Sequence, residues 1–461
     1  MRRAAALLLA LAAAAPPLAA RAQERGASAS PLAFWQAVGD PTLERLIARA
    51  LDANPDLRAV RARVGEARAT RAAAALDLIP SVTASAGYSR QRLAAAAFPG
   101  AGGGSPSDLD VWEAGVQVGW ELDLFGRLRG SLDGQNALLD AAEEDLRAVR
   151  VLLAAEVAAA YFDLRGAQDR LAVARRNADN QRSTLRLTQD RLELGRGSAL
   201  DTERAQAQLS STLATIPALE AALAAAAHRL AVLLGEDPRA SLPGLDLEPA
   251  PLPLPELRVA DAGAVVRRRP DVRAALHRRE ASAAFVGAAR AEYLPRISVG
   301  AAVGYTANAF DALGDSGTPR YVVGPVVSWP LLDLGRVKAR VDAARAGAAE
   351  AEARYERARL AALEEIETTL AAYAHARGRL RHLEEAAAAS ERATELARLR
   401  FEEGATDFLE VLDAERRMLE AQDLLAAGRT EAANWLVAVY RALGGEPAVS
   451  DPGTQDRRDD G

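Results

Sequence analysis

Few residues of this chain have types and spacings that could do chemistry. Leu409, Asp413 and Arg416 fall at i, i+4 and i+7 of a predicted helix, so they share one face. On the residues alone this is a solvated helix face, with an ion pair between Asp413 and Arg416. His375 and His382 are seven positions apart with no third ligand nearby, which indicates a surface pair and not a metal site. We therefore predict no catalytic, cofactor or metal site.

Composition narrows the class of protein. The 461 residues carry a formal net charge of −6, so the chain lacks the basic surface that nucleic-acid binding requires. Alanine, leucine, glutamate and arginine dominate, which is typical of long helices or coiled coils. The sequence contains no cysteine, which excludes a disulfide framework and a thiolate site.

The first residues have the layout of a secretory signal peptide. Arg2 and Arg3 precede an apolar run over 4–15, and Ala20-Arg21-Ala22 forms a small-x-small cleavage site. We expect residues 1–22 to be removed, although a short core helix is the alternative. No later stretch approaches the roughly 18–20 apolar residues that a spanning helix needs. The mature chain is then periplasmic, secreted, or inserted in a membrane by another route.

The chain contains two copies of one unit. Motifs recur in the same order, at an offset that drifts only from 215 to 209 positions. The matching pairs are 54–58 with 269–273, 77–82 with 292–297, 120–127 with 329–336, 191–209 with 399–417, and 233–236 with 442–445. A tandem duplication is the simplest explanation. We predict a first repeat over 23–242, a Pro-rich linker over 243–258, a second repeat over 259–445 and a disordered tail over 446–461.

Each repeat is predicted to contain a helix ending near Pro80 or Pro295, two strands, and two long helices joined by a glycine turn. Apolar residues from Leu146 to Leu192 alternate in steps of three and four, which is typical of a coiled-coil seam. A helix over about 131–194 would be roughly 95 Å long, too long for a compact globule. A kink is expected in the return helix at Pro217.

Four stretches alternate between apolar and small or polar residues, over about 81–93, 111–123, 296–306 and 321–332. Their length suits tilted transmembrane strands, although an antiparallel sheet covering a soluble core would alternate too. Four strands cannot close a barrel, and an open sheet edge is costly in lipid. A barrel shared between chains, of eight, twelve or sixteen strands, would satisfy both constraints.

This ordered set of motifs resembles the outer-membrane channels of tripartite efflux pumps, of the TolC type and particularly its OprM/NodT-like branch. The resemblance runs over about 32–445 and is carried by the repeated motifs and the segments 34–35, 39–43 and 268–273. It implies an α+β membrane protein, a homotrimer in which twelve strands form one outer-membrane barrel and long helices form a periplasmic tunnel. Many such channels are acylated at a cysteine, and this sequence has none, so no lipid anchor is expected.

The same resemblance implies a function without enzyme activity. The chain would be a passive outer-membrane duct for small solutes such as drugs, seated in outer-membrane lipid. Its partners would be a periplasmic adaptor (membrane fusion protein) and an inner-membrane transporter of the RND type. Two alternatives stay open at this stage: an outer-membrane duct for type I protein secretion, and a soluble periplasmic coiled-coil scaffold.

The resemblance also implies the site residues. Leu409, Asp413 and Arg416 would form the gate, and the two glycine turns would contact the adaptor. The expected contact residues are Gly195, Gly197, Ser198, Leu200, Asp201, Gly404, Thr406 and Asp407. Plain helical hairpins are the alternative, since glycine can end a helix and Ser198 and Thr406 can cap the next one.

Overall fold

The computed structural model describes residues 32–92, 108–239, 254–255, 257 and 261–446. The elements, in chain order, are α1 Ala33–Val38, α2 Pro41–Ala53, α3 Pro55–Leu76, β1 Ser81–Arg92, β2 Asp108–Leu122, α4 Arg127–Glu193, α5 Ala199–Leu233, α6 Ala262–Arg268, α7 Pro270–Ala291, β3 Arg296–Ala307, β4 Pro319–Ser328, α8 Leu334–Glu402 and α9 Phe408–Ala442. A short 3-10 turn, Phe310–Ala312, lies between β3 and β4. The predicted signal peptide, nearly all of the predicted linker and all but the first residue of the predicted tail lie outside the described residues.

The tandem repeat is visible in the element order. Helix, strand, strand, long helix and return helix occur twice, and equivalent helices have nearly equal lengths. The helices α3 and α7 each have 22 residues, and the return helices α5 and α9 each have 35. The long helix α4 begins at Arg127, earlier than predicted, because Asp123 caps it by accepting from the amide nitrogens of Leu128 and Arg129.

The chain divides into two compact units. Among described residues, one unit comprises 63–143 and 274–355, and it holds the four strands with the helical segments that adjoin them. The other comprises 32–62, 144–273 and 356–446, and it holds the two hairpin turns with α1, α2 and α6. Each repeat contributes to both units.

The strands form one antiparallel sheet in the order β1-β2-β3-β4. All four predicted strands are confirmed, and the bounds of the second and fourth differ most from the prediction. The second strand begins at Asp108 and not at 111, and the fourth spans Pro319–Ser328 and not 321–332. The fourth strand ends two residues before Pro330, which has no amide hydrogen for a sheet ladder.

Two tryptophans fix the corners where helices turn into strands. The indole nitrogen of Trp120 donates to the carbonyl oxygen of Leu78 at 3.0 Å. Its repeat equivalent, Trp329, donates to the carbonyl oxygen of Tyr293 at 3.1 Å. Both carbonyls lie just beyond a helix end, where no intrahelical donor reaches them. The same corner is therefore stabilised in the same way in both repeats.

Two buried side chains cap the return helices. The Asn54 amide nitrogen donates to the Leu233 carbonyl oxygen at 2.9 Å, and the Arg269 guanidinium donates to that of Ala442 at 2.7 Å. Arg269 also contacts Glu365 and Asp271. Burial opposes its charge, but the hydrogen bonds that Arg269 donates to these two carboxylates hold its pKa above the ordinary value.

The predicted seam of α4 is buried along most of its length. Leu153, Val157, Leu164 and Leu171 are all less than 10% exposed. Five aromatic rings pack together beside it: Phe34, Trp35, Tyr161, Phe162 and Tyr440, with the Trp35 and Tyr440 centroids 4.8 Å apart. Burial of large rings dominates the energetics of such a core.

One sequence-based expectation is wrong for α5. This helix is long and apolar enough, by length and composition, to cross a membrane, whereas no such stretch was expected. Its alanines raise its hydropathy, yet one side of the helix packs on α4 through Leu219, which contacts the cluster of Leu171 and Ala174. Pro217, where the sequence predicts a kink, lies inside this continuous helix.

Candidate functional site: the turns of the helical hairpins

The two hairpin turns have the same backbone geometry. Gly195 and Gly404 adopt the left-handed conformation that the sequence predicts, with φ of 68° and 76°. After each glycine, a backbone hydrogen bond closes a turn of six residues. Arg196 N donates to Arg191 O, and Ala405 N donates to Arg400 O, both at 2.8 Å. In both turns this hydrogen bond satisfies a carbonyl group that a helix end would otherwise leave free.

The return helices begin with different caps. Ser198 Oγ accepts from the Leu200 amide at 3.1 Å, as predicted. In the second turn the cap is Asp407, whose Oδ1 accepts from the Glu410 amide at 3.2 Å. The prediction of Thr406 as cap is wrong because α9 begins at Phe408, which leaves Thr406 one position too early.

The predicted contact residues are accessible. Six of them are exposed: Gly195, Gly197, Ser198, Leu200, Gly404 and Asp407. Asp201 and Thr406 are half-buried. The leucines after each turn, Leu200 and Leu409, expose 55% and 51% of their surface, so each hairpin presents an apolar side chain beside polar caps.

Asp413 is held by two arginines, of which the sequence analysis named one. Its Oδ1 accepts from Arg416 Nη2 at 2.9 Å, and its Oδ2 accepts from Arg417 Nε at 2.7 Å. The hydrogen bonds from Arg416 and then Arg417 lower the pKa of Asp413, and the bond to Asp413 raises that of Arg416. The carboxylate therefore stays ionised at neutral pH.

The structure brings the three predicted gate residues only partly together. Leu409 and Asp413 line one shallow groove between α8 and α9, together with Asp407 and Arg417. Arg416 does not line that groove, although it pairs with Asp413. The position equivalent to Asp413 in the first repeat is Arg204, which lies 3.8 Å from Asp201. The acid is thus a property of the second hairpin alone.

Arg191 joins the ends of the two hairpins and was missed by the sequence analysis. Its guanidinium lies 4.0 Å from the centroid of the Phe401 ring. Its Nη2 also donates to the Phe401 carbonyl oxygen at 2.9 Å. A residue in the last turn of α4 thereby caps the last turn of α8, where the helix dipole favours a cation.

A buried polar cluster joins α4 to the second hairpin further along the helices from the turns. Glu415 is only 2% exposed, and its Oε1 accepts from Thr184 Oγ1 and Arg398 Nη2, both at 2.7 Å. Thr394 on α8 donates to the Ala414 carbonyl oxygen at 3.0 Å. Buried carboxylates are tolerated only with such partners.

The hairpins also share a small apolar core near the turns. It has residues from all four helices: Ala178 and Leu185, Ala205 and Leu209, Phe401, and Phe408 with Val411. Further along, Arg170 on α4 makes a bidentate pair with Asp423 on α9, at 2.7 and 3.0 Å. A few directional bonds and one apolar cluster therefore hold the two hairpins side by side.

One signal in the sequence could have identified Glu415. Phe408, Val411 and Met418 are buried along one stripe of α9, and Glu415 occupies the same stripe. An acid in an apolar seam needs a partner, so its position marks a buried polar contact. The identity of that partner, Thr184, depends on tertiary structure and carries no local signal.

The chemistry that the two turns present consists of apolar contact, a carboxylate and ion pairs. Among the residues that the structure describes, no group of His, Cys, Asp and Glu could hold a metal ion. What the turns present is an exposed leucine, a fixed negative charge at Asp413, and hairpin contacts that a partner could rearrange. In a ring of identical copies, such groups would control water and ions.

Comparison with known proteins identifies the family. The family model described as "Outer membrane efflux protein" matches residues 46–236 and 263–445. Outer membrane protein OprJ of Pseudomonas aeruginosa is 32% identical over 436 residues, covering 92% of this chain and 88% of OprJ. The toluene efflux pump outer membrane protein TtgF of Pseudomonas putida is 32% identical over 414 residues, covering 89% of this chain and 85% of TtgF.

A solved structure gives the same result for the fold. The outer-membrane channel OprN superposes with a TM-score of 0.83 at 41% sequence identity, covering 90% of this chain and 92% of that one. Both matched segments of the family model fall within the predicted repeats, and each contains one hairpin turn. The chain therefore belongs to the outer membrane efflux protein family.

Proposed function

We propose that this chain is the outer-membrane channel of a tripartite efflux system and serves as a passive exit duct for small solutes. The observation that carries the proposal is the match of the efflux family over both repeats. TtgF, a relative that aligns over nearly the whole chain, belongs by name to a toluene efflux pump. Small apolar or amphipathic solutes, drugs included, are accordingly the expected cargo, and protein secretion and a soluble scaffold are not favoured.

The functional molecule is a trimer. Each chain supplies a four-stranded sheet whose outer strands, β1 and β4, each have only one partner strand. Unpaired edges cost several kcal/mol per backbone group in lipid, so the edges must meet those of other chains. Three copies give a twelve-stranded barrel, wide enough for a water-filled channel.

Sheet chemistry supports insertion in the outer membrane. One face carries Val82, Val116, Val303 and Val323, which suits contact with acyl chains. Aromatic side chains mark both ends of the strands. Tyr88, Trp112 and Phe310 stack at one end, and Trp120 and Trp329 lie at the other. Such bands are typical of the two membrane interfaces.

Export to that membrane is assigned to residues 1–22. The pair Arg2-Arg3, the apolar run and Ala20-Arg21-Ala22 together suit cleavage before Gln23. Mass spectrometry of the mature chain tests this assignment, since its first residue should be Gln23. We further assign residues 23–242 and 259–445 to the two structural repeats and 243–258 to the linker between them.

The hairpin turns are assigned two roles in the periplasm. The gate consists of Leu409, Asp413 and Arg416 from each of three chains. Arg417 also pairs with Asp413. Three leucines around one axis can exclude water, and three carboxylates favour cations. The exposed residues of both turns contact a periplasmic adaptor (membrane fusion protein), which works with an inner-membrane transporter of the RND type.

Native mass spectrometry of protein extracted in detergent tests the channel assignment. The expected result is a trimer, together with heat-modifiable migration that reports a β-barrel. A water-soluble monomer without heat-modifiable migration would contradict the channel and return the scaffold to consideration.

A further inference from the structure

Cross-strand register puts the charged residues of the sheet on identifiable faces. In an antiparallel ladder, directly paired residues lie on the same face and neighbours along a strand alternate. Glu113 pairs with Thr306, Gly115 with Gly304, and Gly304 with Arg320. Glu113 on β2 and Arg320 on β4 therefore share a face. It is opposite to the face of Val116 and Val303 and holds Gln117, and in the proposed channel it lines the lumen.

These two residues make contact across an intervening strand. The distance from Arg320 Nη2 to Glu113 Oε2 is 3.3 Å, although β3 lies between their strands. Two strand spacings amount to about 9.6 Å, so both side chains must lie over β3. They can do so because position 304 is a glycine.

Gly304 is required by the backbone as well. A Cβ added there would lie 2.4 Å from the carbonyl oxygen of Ala114, and one added at Gly115 would lie 2.8 Å from that of Val303. The two glycines face each other at this close approach of β2 and β3. The backbone therefore requires glycine at position 304, the position that the ion pair crosses.

The pair lies at the end of the sheet away from the helices. Arg320 is the second residue of β4, and Glu113 pairs with Thr306, the second-to-last residue of β3. The opposite ends of the strands join α3, α4, α7 and α8. In the proposed channel the helices enter the periplasm, so this end opens to the exterior.

Charge on the lumen face is balanced throughout the described strands. Its only other charged strand residues are Glu121, which accepts two hydrogen bonds from Arg127, and Arg296, which lies 4.0 Å from Glu292. Both of these pairs lie at the helical end. Glu113 and Arg320 are therefore the only charges on this face near the outward end of the described strands.

We propose that Glu113 and Arg320 form a charge-balanced collar that keeps the outward end of the channel from selecting solutes by charge. The collar rests on the proposed function, since it requires three chains around a lumen. Removing one partner leaves three like charges around a passage with low-dielectric walls, which focus the field on permeating ions. Balanced pairs leave cations, anions and neutral solutes similar access.

The test is the reversal potential of the reconstituted channel in a planar bilayer under a KCl gradient. Arg320→Gln should shift it toward cation preference and Glu113→Gln toward anion preference, each changing the permeability ratio by about threefold or more. The exchange of both charges, Glu113→Arg with Arg320→Glu, should restore the wild-type value. All variants share the same hairpin turns, so differences between them isolate the collar.

Arg90→Gln is the matched control. Arg90 lies at the same end of the sheet but on the opposite face, 3.5 Å from Asp108, so its loss should leave the reversal potential unchanged. Shifts of the same sign in both single variants, or no shift with conductance intact, would overturn the collar alone. Absence of conductance from the wild type would overturn the channel assignment, and the collar with it.

Discussion

Thr184 on α4 donates a 2.7 Å hydrogen bond to Glu415 on α9, joining two hairpins across 231 positions of sequence. Glu415 is almost fully buried, so it depends on Thr184 and on Arg398 for the hydrogen bonds that water would otherwise supply. The ends of the two hairpins are therefore joined through a buried polar contact. The loss of either partner of Glu415 should destabilise it.

Substitution of Thr184 by valine should destabilise this contact. Valine keeps the shape and removes the donor, and Arg398 still serves Glu415, so the expected cost is about 1 kcal/mol. Thermal unfolding followed by circular dichroism should show a lower midpoint. Thr70→Val is the control, since Thr70 is exposed and bonds only to the Glu66 carbonyl oxygen in its own helix. Equal midpoints for Thr184→Val and wild type would show that the bond does not stabilise the hairpins.

The two arginines that pair with Asp413 should determine how the conductance of the proposed channel depends on pH. Their hydrogen bonds lower the pKa of Asp413 below its ordinary value of 3.8. Both arginines lie on the same helix as Asp413, so the lowered pKa keeps this carboxylate ionised until the pH falls through the lowered value. Conductance should then stay constant from about pH 7 to about pH 5 and change only at still lower pH.

Replacing both arginines by glutamine should raise the pKa of Asp413 toward its ordinary value. The change in conductance should then begin at a higher pH than in the wild type. The control is Arg204→Gln, because Arg204 occupies the position in the first repeat that is equivalent to Asp413, so it removes an arginine from a hairpin that has no acid there. Superimposable pH profiles for the wild type and the double variant would refute an effect of the two arginines on the pKa of Asp413.

Arg191 should protect the second hairpin turn. Its contact with Phe401 combines ring stacking and a hydrogen bond, and lysine cannot reproduce the planar guanidinium. We expect Arg191→Ala to speed proteolysis within 400–410, and Arg191→Lys to have a smaller effect in the same direction. Arg196→Ala, in the same turn but fully outside this contact, should match the wild type. Equal cleavage rates in the wild type and the three variants would contradict a protective role of Arg191.

The corner tryptophans should stabilise the barrel from its helical end. Trp120→Phe and Trp329→Phe each keep an aromatic ring and remove the indole donor to a helix-end carbonyl, at a cost of about 1 kcal/mol each. The temperature at which the trimer dissociates on a gel should fall in both variants. Trp112→Phe, which retains stacking on Tyr88, is the control. A fall in the control as large as in the corner variants would point to lost ring volume instead.

Local patterns predicted most of the fold. The spacing of Leu153, Leu164 and Leu171 indicated the buried seam of α4, and the left-handed glycines at 195 and 404 followed from helix-ending signals. Each of these features has one physical cause that operates within a few residues. The repeated motifs added the order of elements, because a duplicated sequence folds into a duplicated structure.

Features that depend on tertiary partners were not predictable in the same way. The contact of Arg191 with Phe401 joins residues 210 positions apart, and no local spacing indicates it. The cap at Asp407 was assigned to Thr406 because both residue types can cap, and only the start of α9 decides between them. Arg417 was missed since an i,i+3 and an i,i+4 arginine can both reach one acid.

The most direct test of the central claim, a duct closed at its hairpin turns, is single-channel conductance in planar bilayers. The wild type and the double variant Asp413→Ala with Arg416→Ala should be compared as trimers from matched preparations. We predict a small, cation-preferring conductance for the wild type, and a larger conductance that admits larger solutes for the variant, since the ring of acids and its partners is removed. Identical conductances would contradict a gate at Asp413, and no conductance from either protein would contradict the duct.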